Sequence, residues 1–214
     1  MLTPWLTPLP LMAILRGLRP DEAVATGRAI AGAGFRMLEV PLNSPQPIDS
    51  IALLADALGA ETLVGAGTVM TPADVDAVAA AGGRLIVMPH ADVAVIRAAK
   101  SAGLLCVPGV ATPTEAFAAL AAGADALKLF PAEQSAPAVL KAWRAVLPRD
   151  VPVLPVGGIA PDSMAPWVAA GAAGFGIGSA LYAPSRPLDD TIQRARAFAQ
   201  AWHALEKHAP EKHA

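Results

Sequence analysis

An α/β fold with a wholly parallel sheet is predicted by three observations on this 214-residue chain. The strand candidates are continuous apolar runs and not alternating ones, the pattern of strands covered on both faces. Each run is followed by a helix-patterned segment with its own start and stop signals. The unit then recurs eight times along the chain, which fits a closed (β/α)8 TIM barrel forming a single domain over residues 1–214, with the open doubly wound sheet as the rival.

The eight runs are Leu11–Arg16, Met37–Asn43, Leu63–Val69, Leu85–Pro89, Leu104–Val110, Ala126–Pro131, Val151–Gly157 and Gly174–Ser179. Pro20-Asp21-Glu22 opens the first helix, Thr71-Pro72 the third, Thr112-Pro113 the fifth and Ala160-Pro161 the seventh. Thr71 and Thr112 read as N-caps followed by proline at the first helical position. Glycine-bearing stops such as Ala81-Gly82-Gly83 and Ser101-Ala102-Gly103 precede the next strand and suit a left-handed helix end. Residues 1–10 hold Trp5 and three prolines and are expected to cap the bottom of the barrel. A C-terminal helix and frayed tail are expected over about residues 187–214, where Glu206-Lys207-His208-Ala209 repeats as Glu211-Lys212-His213-Ala214.

Composition narrows the classes of function. Hydrophobic residues make up 54% and charged residues 16%, so the chain has material for a large core. A net charge of −2 with scattered basic residues gives no nucleic-acid footprint, and no apolar stretch is long enough to span a bilayer. The opening MLTPWLTPLPLMAILRG lacks a basic segment before its apolar part, so no signal peptide is read. The single cysteine, Cys106, sits in the apolar run LLCVPGV, where it reads as a buried structural residue and fits a reducing, cytoplasmic compartment.

The chemistry centres on Lys128. Of five lysines, Lys100, Lys141, Lys207 and Lys212 lie in helix-patterned or tail sequence where an ammonium can reach water. Lys128 lies inside Ala126-Leu127-Lys128-Leu129-Phe130, where a buried strand is expected. Burying an ammonium is costly unless it is paired or loses its proton. The neutral amine is also the form that attacks carbonyls. From Lys128 alone, carbonyl chemistry and a buried ion pair are both open. Glu39 is the one acidic residue inside the apolar strand runs, and from an inward position it could meet Lys128 across the barrel, as acid–base partner or as register-fixing ion pair.

Arg16 ends the first strand, where a guanidinium suits bidentate carboxylate binding or is simply a solvated charge. Gly65-Ala66-Gly67-Thr68 ends the third, its glycines permitting close approach to the backbone and Thr68 adding a hydroxyl. Gly157 and Gly158 end the seventh strand, and Gly178 and Ser179 end the eighth. Backbone groups there can cradle a phosphate, although each pair alone is also ordinary turn chemistry. His90, His203, His208 and His213 are the only histidines and have no accompanying carboxylate cluster, so no metal is expected; His90, ending the fourth strand, is placed either to touch substrate or to serve as a polar loop residue. No Gly-x-Gly-x-x-Gly follows the first strand and no Gly-x-x-x-x-Gly-Lys occurs, so no nucleotide cofactor is expected.

Four strings, Leu38-Glu39-Val40, Gly65-Ala66-Gly67-Thr68-Val69, Leu127-Lys128-Leu129-Phe130-Pro131-Ala132-Glu133 and Val156-Gly157-Gly158, occur in order over nearly the whole chain. Together they resemble the class I aldolases of 2-keto-3-deoxy-6-phosphosugar acids. The resemblance implies a (β/α)8 barrel, a homotrimer, Lys128 as Schiff-base lysine and Glu39 as the acid–base residue, with no cofactor. It also gives Arg16 the substrate carboxylate; in the mechanism that follows, Thr68 joins Arg16 there, and backbone groups at Gly157, Gly158, Gly178 and Ser179, already read as a phosphate cradle, are expected to hold the phosphate. Leu11–Gly17 and Val40-Pro41-Leu42-Asn43-Ser44-Pro45 look like the 6-phosphogalactonate branch, with Asn43 where the gluconate branch carries arginine; Ala132-Glu133 is closer to the gluconate branch. The implied reaction is cleavage of 2-dehydro-3-deoxy-6-phospho-D-galactonate to pyruvate and D-glyceraldehyde 3-phosphate. Alternatives are the gluconate epimer as substrate, an isomerase or epimerase using Glu39 with Lys128 as electrostatic support, and a non-catalytic phosphometabolite-binding barrel.

Overall fold

The computed structural model of the protein describes residues 2–208. Parallel strands alternate with helices: β1 Leu11–Ile14, α1 Pro20–Ala31, β2 Met37–Pro41, α2 Pro47–Leu58, β3 Leu63–Gly67, α3 Pro72–Ala80, β4 Leu85–Val87 and α4 Val93–Ser101. They continue with β5 Leu105–Val107, β6 Gly109–Val110, α5 Pro113–Ala121, β7 Leu127–Leu129, α6 Pro137–Arg144, β8 Val153–Pro155, α7 Met164–Ala169, β9 Phe175–Ile177 and α8 Leu188–His208. The expected fraying of the tail falls beyond His208, outside the described residues. No described helix is long and apolar enough to cross a membrane.

The strands form a curled six-stranded sheet, ordered β5-β4-β3-β2-β1-β9, and a three-stranded sheet, β6-β7-β8. The fifth expected strand, Leu104–Val110, is thus two strands. Pro108 divides them because it has no N–H to give to a ladder, although its carbonyl still accepts from Lys128 N at 2.9 Å. On the other side the sheets meet where Val156 bridges Gly176 and Ala173 N donates to Val153 O at 3.0 Å.

The helices start where the capping chemistry says they should. Thr71 Oγ1 accepts from Asp74 N at 3.2 Å and Thr112 Oγ1 from Glu115 N at 3.3 Å, each with the acid reaching back to the cap. The seventh helix opens at Pro161 as a short 3-10 turn before α7 takes over.

Side chains alternate between two apolar clusters. Leu38, Val40, Leu127 and Leu129 join a large cluster between sheet and helices. Met12, Met37, Leu63, Leu85, Val87, Val107, Ala126 and Leu154 form a smaller one on the concave face. Full burial of one such side chain contributes about 1.5–3 kcal/mol. At the N-terminal segment, Leu2 belongs to the smaller cluster and Trp5 and Leu6 pack against it. The guanidinium carbons of Arg36 and Arg84 lie 4.9 and 5.3 Å from the Trp5 ring centre, the geometry of cation–π contacts.

Candidate active site

Strand periodicity places the two unusual charges. Side chains two residues apart in a strand share a face. Met37 and Ala126 belong to the concave cluster, so Glu39 and Lys128 face the same interior, one step nearer the C-terminal strand ends. Their lateral neighbours are small or apolar: Ile14 and Gly65 flank Glu39, and Gly109 and Leu154 flank Lys128. Glu39 is 1% exposed and Lys128 6%.

Burial dominates the ionisation of both. It pushes the Glu39 carboxyl up to about 7, against the opposing pull of Lys128 and Arg16. It pulls Lys128 below the usual lysine range, assisted by Arg16 and opposed by Glu39. Lys128 Nζ lies 4.5 Å from the centre of the Phe130 ring. Glu39 Oε2 is buried and has no hydrogen-bond partner among the described residues. The pair therefore consists of an amine biased toward its neutral form and a carboxyl biased toward holding a proton.

Arg16 follows β1 and is exposed, and its Nη1 donates to Asn43 Oδ1 at 2.6 Å. Asn43 stands beyond β2, so the ends of two adjacent strands hold the guanidinium near both ionisable groups. Gly17 N donates to Ser44 Oγ at 2.9 Å and ties the same two loops. Thr68 follows β3 with φ +56°. A β-branched residue in the left-handed region is strained, and such strain concentrates at functional sites. Gly65 serves packing, because a side chain there would overlap the Leu85 carbonyl.

The two glycine motifs come together through the Val156–Gly176 bridge. Gly157 and Gly158 adopt φ +111° and +64°, which only glycine does without strain. Open space surrounds Gly178, and Ser179 beside it is exposed.

A family model described as KDPG and KHG aldolase matches residues 3–194. The chain belongs to the KDPG and KHG aldolase family.

Within this aldolase family, the chain is 50% identical over 198 residues to the 2-dehydro-3-deoxy-6-phosphogalactonate aldolase of Escherichia coli, spanning 92% of this chain and 97% of that one. A solved structure described as native KDPGal matches with a TM-score of 0.92 and 49% identity over 94% of this chain and 98% of that one. A Legionella pneumophila KDPG aldolase with pyruvate captured as a covalent carbinolamine matches with a TM-score of 0.79 and 27% identity, over 94% and 95% of the two chains. The protein is accordingly an aldolase, a carbon–carbon lyase.

Several contacts at the candidate site were not read from the sequence. Lys128 against the Phe130 ring and Arg16 on Asn43 are two. Arg186 Nη1 donates to Ser179 O at 3.0 Å. The exposed Glu133 side chain lies over the other glycine pair, so that a side chain on Gly158 would come within 2.6 Å of Glu133 Cγ. The Phe-Pro-Ala-Glu string offered a signal for Glu133; for Arg186 there was none. His90 is half-buried, its Nδ1 has no partner among the described residues, and its carbonyl accepts from Gly109 N at 3.2 Å. Cys106 is buried beside Met88, with its thiol pushed up to about 12 chiefly by burial, and is therefore a packing residue. Lys100 departs from its expected solvated state: it is half-buried, pairs with Asp125 at 2.5 Å and donates to Leu104 O at 2.9 Å. A recess of about 440 Å³ bounded by Pro8, Gly34, Arg36 and Thr62 opens at the opposite ends of the strands and holds none of the expected site residues.

Proposed function

We propose that the chain is a Schiff-base (class I) aldolase that cleaves 2-dehydro-3-deoxy-6-phospho-D-galactonate to pyruvate and D-glyceraldehyde 3-phosphate. The observation that carries this reading is the shared burial of Lys128 and Glu39 on one concave face, with proton affinities displaced in opposite directions. Neutral Lys128 attacks the C2 ketone, and loss of water gives a protonated imine, an electron sink next to C3. Glu39, as carboxylate, takes the C4 hydroxyl proton. The C3–C4 bond then breaks, its electron pair enters the imine to form an enamine, and the aldehyde departs. Protonated Glu39 returns a proton to C3, and water hydrolyses the imine to free pyruvate. A single carboxyl with an affinity near neutrality serves both as base and as acid.

Arg16 and Thr68 hold the C1 carboxylate, and Gly157, Gly158, Gly178 and Ser179 hold the phosphate. Fixing both ends sets C4 over Glu39. The galactonate assignment rests on the 50% identity to the Escherichia coli enzyme, against 27% to the gluconate-type Legionella aldolase. We further propose that the two sheets close into one eightfold (β/α)8 barrel forming a single domain, and that the enzyme is a cytoplasmic homotrimer.

Two measurements test the reading. Pyruvate plus borohydride should add mass irreversibly to the peptide containing Lys128; labelling elsewhere, or none, would overturn the scheme. Side-by-side cleavage of the galactonate and gluconate epimers, which differ at C4, should favour the former, and a reversed ratio would move the assignment to the gluconate branch.

A further inference from the structure

We propose that Gly67 is a positioning residue for Glu39: the side chain missing at residue 67 is the space in which the Glu39 carboxylate sits. The proposal rests on the acid–base role proposed for Glu39 and extends it to a residue on the neighbouring strand.

Strands β2 and β3 run in parallel register with Glu39 opposite Gly65 and Pro41 opposite Gly67. The Glu39 side chain leans along its strand toward Gly67. A methyl on Gly67 would overlap Oε2 and Cδ of Glu39 and come within 2.6 Å of Oε1. The three atoms nearest to that methyl all belong to this one carboxylate.

The glycine is not needed for its backbone freedom. Gly67 lies outside the left-handed region that Gly157 and Gly158 occupy, so alanine fits the strand conformation. Nor is the crowding of the kind found at Gly65, where the obstacle is the Leu85 backbone carbonyl and cannot move without breaking the sheet. At Gly67 the obstacle is the far end of a side chain, which can swing aside. The predicted consequence of a methyl is therefore a displaced carboxylate on an intact strand.

Hydrogen bonding does not hold Glu39 Oε2, which is buried without a partner among the described residues. Its place is set by the walls around it, and Gly67 is the wall it touches. Shifting a reacting group by about 1 Å costs on the order of a hundredfold in rate.

The test is a double-mutant cycle on Gly67→Ala and Glu39→Asp, read by two assays on the full chain. Borohydride trapping of pyruvate at equilibrium reports Lys128 alone, and exchange of the pyruvate methyl protons in D2O reports the Glu39 proton transfer. Gly67→Ala should trap pyruvate as wild type does while exchange falls on the order of a hundredfold. Aspartate withdraws the carboxylate by one methylene, so adding Gly67→Ala to Glu39→Asp should cost at most a few-fold more. Exchange by Gly67→Ala at the wild-type rate, or a methyl equally harmful in both backgrounds, overturns the proposal. If Gly67→Ala does not fold, the same crowding requires Glu39→Asp to restore folding, and failure to do so overturns it as well. Wild-type protein that traps no pyruvate refutes instead the Schiff-base reading on which the proposal rests.

Discussion

Lys128 and Glu39 lie buried on the same concave surface, and each makes the other easier to charge while the apolar surroundings make both harder. Burial wins in each case, as the raised carboxyl and lowered amine record. The outcome is a pair in which one proton can be lent and recovered.

In the proposed scheme the rate of cleavage rises with pH through about 7, because a Glu39 that serves as base must first give up its proton and burial has pushed its carboxyl to that value. Arg16 lowers both Glu39 and Lys128. Arg16→Met should therefore move this limb to higher pH as well as weaken substrate binding, as pH profiles of kcat/KM would register.

Glu39→Gln should keep pyruvate trapping at Lys128 and slow methyl-proton exchange by about 10²–10⁴-fold. Loss of trapping in this variant would mean that the carboxyl is needed for the imine itself.

The same burial has a cost in stability. An acid whose folded-state affinity is raised stabilises the fold below its unfolded value, near 4.5, and that contribution disappears as pH climbs toward about 7. Glu39→Gln removes this liability and should be more stable than wild type at pH 8 by about 3 kcal/mol, with little difference at pH 4. Lys128→Met should likewise stabilise near neutrality while abolishing trapping. Denaturant titrations at the two pH values would settle both.

Asn43→Ala should raise the KM for substrate by about 5- to 100-fold with a smaller change in kcat, since it frees the Arg16 guanidinium from the 2.6 Å bond that orients it. An unchanged KM would show that Arg16 finds the carboxylate unaided.

Asp125→Asn should destabilise the fold by about 1–3 kcal/mol and leave pyruvate trapping intact. Its carboxylate receives Lys100 and the Cys106 N–H, and so joins α4, β5 and the start of β7. Of Lys100 and Lys128, only Lys128 should carry chemistry.

The parallel strands were legible because burial on both faces leaves unbroken apolar runs, and Thr71 and Thr112 were legible because caps act within four residues. Lys128 and Glu39 stood out because charge inside such a run demands a reason. Pro108 carried a visible signal for the division of the fifth strand, since it cannot donate to a ladder, but the surrounding apolar run masked it. The balance of forces on Lys128 could not be read, because burial and the Glu39 charge oppose each other and only their separation and depth decide. Arg186 gains its place by a turn back onto Ser179, of which local pattern says nothing, and Glu133, though marked by its string, meets Gly157 and Gly158 through a contact between distant segments. The glycines of the third strand were read as room for a ligand; the space beside Gly65 and Gly67 is filled by the protein itself.

The N-terminal segment has a further effect. Leu2 is buried in the smaller cluster, Trp5 and Leu6 pack against it, and two arginines flank the indole. Water is thereby kept from the apolar layer that underlies Glu39 and Lys128, so the dryness that displaces both proton affinities depends in part on residues 2–6.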